Sequence, residues 1–126
     1  MKTVLFICVG NASRSQMAEA LFNSLTMKAR AMSAGSRPAG KVDSLTIDVM
    51  KEIGIDISKN KPKPIANENV EKADKIISMC EGVCPVVGRP IVHWEIEETK
   101  GKGIETVRRV RDEIKDKVIG LIEGIG

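Results

Sequence analysis

The stretch Thr3-Val4-Leu5-Phe6-Ile7-Cys8-Val9-Gly10-Asn11-Ala12-Ser13-Arg14-Ser15-Gln16-Met17-Ala18-Glu19-Ala20 sets the architecture of this chain. Thr3 to Val9 is almost continuously apolar and rich in strand formers, the pattern of a central parallel strand buried on both faces. Small and polar residues follow, Gly10 to Ser13, and then a helical pattern puts Met17, Ala20, Leu21 and Leu25 on one face. Strand, tight loop and helix in this order place the loop beyond the carboxyl end of a strand, where open α/β sheets bind their ligands.

The remaining segments extend the same theme. Ala31–Gly35 is short enough for a second strand, and Ser36-Arg37-Pro38-Ala39-Gly40 has the composition of a surface loop. Val42, Leu45, Val49, Met50 and Ile53 fall at helical spacing, with Gly54 placed as a left-handed C-cap and Ile55 placed to pack back. Lys59 to Pro64 is basic and broken by prolines, hence a loop. Asn67 to Ala73 reads as a short helix capped by Asn67, and Lys75 to Cys80 as a strand that ends at Cys80 as the first ends at Cys8. Ile91–Trp94 gives a fourth strand, and Ile104, Val107, Val110, Ile114, Val118 and Leu121 mark a long amphipathic closing helix. The expected fold is a three-layer α/β/α sandwich with a four-stranded parallel sheet and right-handed crossovers.

At 126 residues the chain has room for one domain, expected to span residues 1–126. Its 42% hydrophobic and 29% charged residues are those of an ordinary soluble protein rather than a disordered one. The longest apolar stretch, Val4–Val9, falls far short of the roughly 20 residues a membrane helix needs. It is also too short for a signal peptide, so a cytoplasmic protein without membrane association is expected. A net charge of +3, with Phe6, Phe22 and Trp94 as the aromatics, argues against a nucleic-acid partner. The single His93 excludes sites that need two histidines, and Cys80-x3-Cys84 lacks a second ligand pair, so neither a metal nor a cofactor is expected. His93 and Trp94 read as a polar tip and a packing residue at a strand end. Cys8, Cys80 and Cys84 are too few and too unevenly spaced for a secreted disulfide framework and suggest thiol chemistry in a reducing compartment.

Cys8 and Arg14 enclose Val9-Gly10-Asn11-Ala12-Ser13 at the strand-to-helix turn, where backbone N–H groups are free to point at an anion. Gly10 and Ala12 let the backbone close around a tetrahedral oxyanion, and Arg14 offers a planar fork of donors to two of its oxygens. The same N–H groups favour the thiolate form of Cys8, with Ser15 placed to help by a hydrogen bond, so Cys8 is the expected nucleophile.

Cys8 to Ala20 resembles the phosphate-binding loop and first helix of the low-molecular-weight tyrosine phosphatase fold, which phosphatases share with thioredoxin-coupled arsenate reductases. The resemblance favours the reductases and continues through Ser33–Gly35, Glu52–Ser58, Cys80 with Cys84-Pro85, His93-Trp94 and Val110–Ile114. It implies that Cys8 attacks arsenate, that Cys80 then attacks Cys8 to release arsenite, and that Cys84 closes a Cys80–Cys84 disulfide for thioredoxin to reduce. The electron count agrees: reduction to arsenite takes two electrons, which one disulfide supplies, and a further thiol captures the arsenic. On a helix, residues four apart lie about 6 Å from each other, within reach of a disulfide, and Gly82 and Pro85 ease remodelling of that segment.

The family places an aspartate followed by proline after its last strand as general acid, whereas this chain has Glu97-Glu98-Thr99. Glu98 aligns with that acid, its extra methylene shifting the carboxyl by about one bond length, and Glu97 is the fallback. Some reductases of the class hold potassium through counterparts of Asn11, Glu19 and Ser33 plus a further acid. Here Lys63 falls at that acid's position, so little potassium dependence is expected.

The alternative is phosphomonoester hydrolysis through a Cys8 phosphocysteine. The absence of tyrosine argues against a phosphotyrosine enzyme, whose cleft would be lined by stacking aromatics. A non-catalytic oxyanion-binding module is the remaining reading, and a monomer is expected.

Overall fold

The computed structural model describes residues 1–80 and 88–125. The elements run β1 (Lys2–Cys8), α1 (Arg14–Leu25), β2 (Ala29–Gly35), α2 (Ser44–Lys51), α3 (Asn67–Lys72), β3 (Lys75–Ser78), β4 (Val92–His93) and α4 (Ile104–Ile125). The four strands form one parallel sheet in the order β2-β1-β3-β4, which leaves β1 interior, as its apolar run requires.

Alternation along β1 divides the core in two. Val4, Phe6 and Cys8 face a large cluster with Met17, Leu21 and Phe22 of α1, Val49 and Met50 of α2, and Val107, Val110, Ile114 and Val118 of α4. Leu5 and Ile7 face a smaller cluster with Val70 of α3, Ile76 and Cys80. The layers are therefore unequal, three helices on one face and the short α3 on the other. Leu25 is 44% exposed, so the buried stripe of α1 runs through Phe22 instead. Trp94 packs its ring 5.6 Å from that of Phe6, and His93 is exposed, the division of roles expected for this pair.

Two local expectations are corrected. β3 ends at Ser78, not Cys80. The Ser78 carbonyl accepts the Trp94 N–H at 2.8 Å and the Met79 N–H still reaches the Ile7 carbonyl at 2.7 Å, but the Met79 carbonyl is taken by the Arg14 guanidinium at 2.7 Å. The cap of α3 is Ala66 rather than Asn67, because the Ala66 carbonyl accepts the N–H groups of Asn69 and Val70. The end of α2 is as its sequence signals. Gly54 has φ +82°, the Ile55 N–H reaches the Met50 carbonyl and the Gly54 N–H that of Lys51, both at 3.0 Å, and Ile55 packs on the large cluster.

Candidate active site

The loop 8–14 leaves the carboxyl end of β1, and its carbonyls point away from its centre. Those of Cys8, Val9, Gly10 and Ala12 accept backbone N–H groups of Ser36 (3.2 Å), Arg37 (2.8 Å), Ala39 (2.9 Å) and Asp43 (3.0 Å). Because C=O and N–H of a trans peptide point in opposite directions, each outward carbonyl turns the next N–H inward. The N–H groups of Val9, Gly10, Asn11 and Ser13 therefore converge on the space above Cys8, an oxyanion nest. Asn11 stands at φ 50°, the left-handed conformation such a nest requires and asparagine tolerates.

Cys8 is buried, and its sulfur has two partners, the Asn11 N–H at 3.2 Å and the Ser15 hydroxyl at 2.8 Å. The Asn11 amide donates to Ser15 Oγ at 2.7 Å, and its carbonyl oxygen accepts from Gln16 (3.1 Å) and from the Lys63 backbone N–H (2.9 Å). Asn11 and Ser15 thus stand behind the Cys8 sulfur and hold the loop, whereas Val9, Gly10, Ala12, Ser13 and Arg14 line the cleft with Cys8. The Ser13 hydroxyl, at the N-cap of α1, makes no capping bond. It lies 2.7 Å from Thr46 Oγ1 and accepts from Thr99 Oγ1 at 2.7 Å, which leaves the first turn of α1 directed at the cleft.

The Arg14 side chain is 1% exposed and held from several sides. It donates to the carbonyls of Met79 (2.7 Å) and Ile96 (3.1 Å) and to Glu98 Oε2 (3.0 Å). Of the two sequence-predicted acids, Glu98 lines the cleft, and Glu97 lies on Arg109 at 2.7 Å, an ion pair that lowers its carboxyl below the usual range. Cys80 is buried among the residues of the smaller cluster, on the opposite face from Cys8. The register Ile7↔Ser78 nevertheless puts Cys8 at the carboxyl end of β1 and Cys80 two residues beyond the carboxyl end of the neighbouring β3. Cys84 lies outside the described residues.

The cleft has a volume of about 360 Å³, and Arg37, Ala39, Asp43 and Lys100 complete its walls. None of these four was singled out from the sequence. The helical pattern read from Val42 onward absorbs Asp43, which in the structure is the N-cap residue of α2 and makes no capping bond with its side chain. Burial raises the Asp43 carboxyl above the ordinary 3.8 and the charge of Glu98 raises it further, against the opposing pull of Lys100 and Lys41. Among the described residues no group of three or more His, Cys, Asp or Glu side chains is placed to hold a metal ion. Near the loop, Ser33 Oγ donates to Glu19, and the Lys63 ammonium stands 3.8 Å from the same Glu19 oxygen.

Comparison with known proteins agrees with this geometry. Residues 3–126 match the family model for low molecular weight phosphotyrosine protein phosphatases. A curated relative, the glutaredoxin arsenate reductase of Synechocystis, is 35% identical over 99% of both chains. A solved arsenate reductase in a phosphate-binding state is 36% identical and covers both chains fully with a TM-score of 0.88. A thioredoxin-dependent arsenate reductase of Corynebacterium glutamicum is 34% identical, with a TM-score of 0.81 over 99% of this chain and 62% of that one.

Proposed function

The chain belongs to the low molecular weight phosphotyrosine protein phosphatase family, and we propose that within it this protein is an arsenate reductase. The observation that carries the reading is a thiol at the floor of a ring of inward N–H groups, with a second thiol two residues beyond the end of the adjacent strand. The nest and the Arg14 fork match three oxygens of a tetrahedral oxyanion and grow stronger in effect as charge builds on them during attack. The relatives named above, arsenate reductases along nearly the whole of this chain, support the choice of substrate.

The Cys8 thiolate forms a sulfur–arsenic bond, and one arsenic oxygen leaves as water after taking a proton. The Cys80 thiolate then attacks Cys8 Sγ. The sulfur–arsenic bond breaks with its electron pair going to arsenic, which departs as arsenite. Cys84 attacks Cys80 in turn, frees Cys8 and leaves a Cys80–Cys84 disulfide. Arg14 ties the first step to the second, because the group that grips the oxyanion also holds the Met79 carbonyl, one residue before Cys80. Thioredoxin is the proposed reductant, with glutaredoxin as the competitor named by the Synechocystis relative. A monomer working in the reducing cytoplasm completes the reading.

Phosphomonoester hydrolysis uses the same cradle, but the ring of the single tryptophan packs on Phe6 and none of the three aromatics lines the cleft. The deciding experiment is a free-thiol count on reduced protein before and after arsenate, without added reductant. Loss of two thiols per chain with one arsenite released per chain is expected, and Cys84→Ser releases arsenite without forming the Cys80–Cys84 disulfide. Survival of all three thiols alongside ester hydrolysis would return the protein to the phosphatases.

A further inference from the structure

We propose that Asp43, not Glu98, gives the proton to the oxygen that leaves when Cys8 attacks, and that Glu98 serves to align Arg14. The inference deepens the oxyanion-transfer reading of the cleft and rests on it. Two carboxyl groups line the cleft with Cys8, and they differ in what surrounds them.

Glu98 is fully engaged as an acceptor. Its Oε2 takes the Arg14 guanidinium at 3.0 Å, and its Oε1 takes the backbone N–H groups of Thr99 at 2.9 Å and Lys100 at 3.2 Å. Both carboxylate oxygens are thus committed as acceptors, one of them to a buried guanidinium, and neither is left to face the leaving oxygen. Its geometry suits a different task, fixing the plane of the Arg14 fork toward the oxyanion.

Asp43 is half-buried in the wall of the same cleft, where its backbone N–H on the Ala12 carbonyl fixes it to the oxyanion loop itself. Its side chain is not used to cap α2. Burial and the charge of Glu98 both favour its neutral form, while the charges of Lys100 and Lys41 oppose this. Arg14 and Arg37 also face the cleft, but the buried guanidinium of Arg14 is turned to Glu98. One carboxyl of the cleft is thus bound up with Arg14 and the turn 98–100, and the other is fixed to the oxyanion loop with its side chain off the helix cap, the division between an anchor and an acid. In the step, the Cys8 sulfur–arsenic bond forms, an arsenic–oxygen bond breaks, and the Asp43 proton goes to the departing oxygen, which leaves as water. Arsenic keeps its oxidation state, and Asp43, now a carboxylate, is reprotonated from solvent.

The test compares Asp43→Asn and Glu98→Gln with the parent in single-turnover arsenate reduction across pH, and in cleavage of phenyl and p-nitrophenyl phosphate. Asp43→Asn keeps a good helix N-cap and is expected to lower the chemical rate on the order of 10²-fold. It also removes the fall in rate at rising pH, and it hurts phenyl phosphate, the poorer leaving group, more than p-nitrophenyl phosphate. Glu98→Gln is expected to raise KM while keeping that pH limb. Carboxyl ¹³C NMR of the reduced parent should show Asp43 titrating above ordinary aspartates, a readout independent of turnover. Asp43→Asn at the parental rate with an unchanged pH profile, or an Asp43 that titrates normally, would overturn the proposal while leaving the reductase reading intact. A parent that cleaves both esters but makes no arsenite would overturn the reductase reading, and the ester comparison would still decide the acid. A parent inert in every assay overturns both.

Discussion

Gly35, at the end of β2, shows how closely the oxyanion loop is backed by its neighbours. A Cβ there would stand 2.6 Å from the Val9 carbonyl oxygen, 2.9 Å from the Asn11 nitrogen and 3.0 Å from Asn11 Cβ. Two of these three contacts are backbone, in the segment that aims N–H groups at the oxyanion, so relief must come from displacing the nest itself. Gly35→Ala is expected to cost about 1–3 kcal/mol in stability and to weaken phosphate binding at least as strongly. Urea unfolding and a phosphate titration would check it, and parental affinity in a destabilised variant would separate the fold from the nest. Thr99 is the other informative residue. Where the family has proline after its acid, this chain has a buried hydroxyl that donates to Ser13, so the departure from the family pattern adds a bond to the loop.

The contact between α2 and α4 depends on charge at its rim. Arg108 grips both oxygens of Glu52, with its shortest contact at 2.6 Å. Arg111 reaches Glu52 and the Val49 carbonyl at 2.8 Å each, satisfying an end group of α2 from a neighbouring helix. These bonds lower the Glu52 carboxyl below its ordinary 4.5. A carboxyl lowered on folding adds stability that is present above its unfolded value and lost as pH falls through the folded one. Glu52→Gln should therefore be less stable than the parent at neutral pH, and the difference should shrink as pH falls below about 4. Denaturant midpoints across that range would show the convergence, and parallel curves would remove Glu52 from the account.

Long-range closure around the loop involves nearly every layer of the fold. Segment 36–43 takes its carbonyls, the 98–99 turn holds Arg14 and Ser13, and the Lys59–Pro64 loop bonds it from behind through Asn11. In that last loop the Lys63 backbone bonds Asn11 and Gly35, and its ammonium stands beside Glu19, which also accepts the Ser33 hydroxyl. A cation carried by the chain itself occupies the neighbourhood where a bound potassium would act. Replacing sodium by potassium is therefore expected to leave the melting temperature and the rate unchanged, whereas Lys63→Ala should make both sensitive to potassium. A strong potassium-induced rise in the parental melting temperature would count against this.

The sequence by itself determined the interior strand, the Cys8-x5-Arg14 loop after it, the Gly54 ending of α2 and the long closing helix. Each rests on local chemistry: apolar periodicity, small residues at a tight turn, or a glycine free to take positive φ. Only the tertiary structure decided which way the loop carbonyls face, because their partners lie some thirty residues downstream and carry no side-chain signature. It alone brought Asp43 and Glu98 to one cleft, since they lie fifty-five residues apart and Asp43 falls within an apolar helical pattern that gives it no mark. It also ended β3 at Ser78, because a guanidinium sixty-five residues away takes the next carbonyl and stops the ladder. Local pattern fixes elements, whereas the chemistry of this site comes from polar groups that meet only when the sheet is assembled.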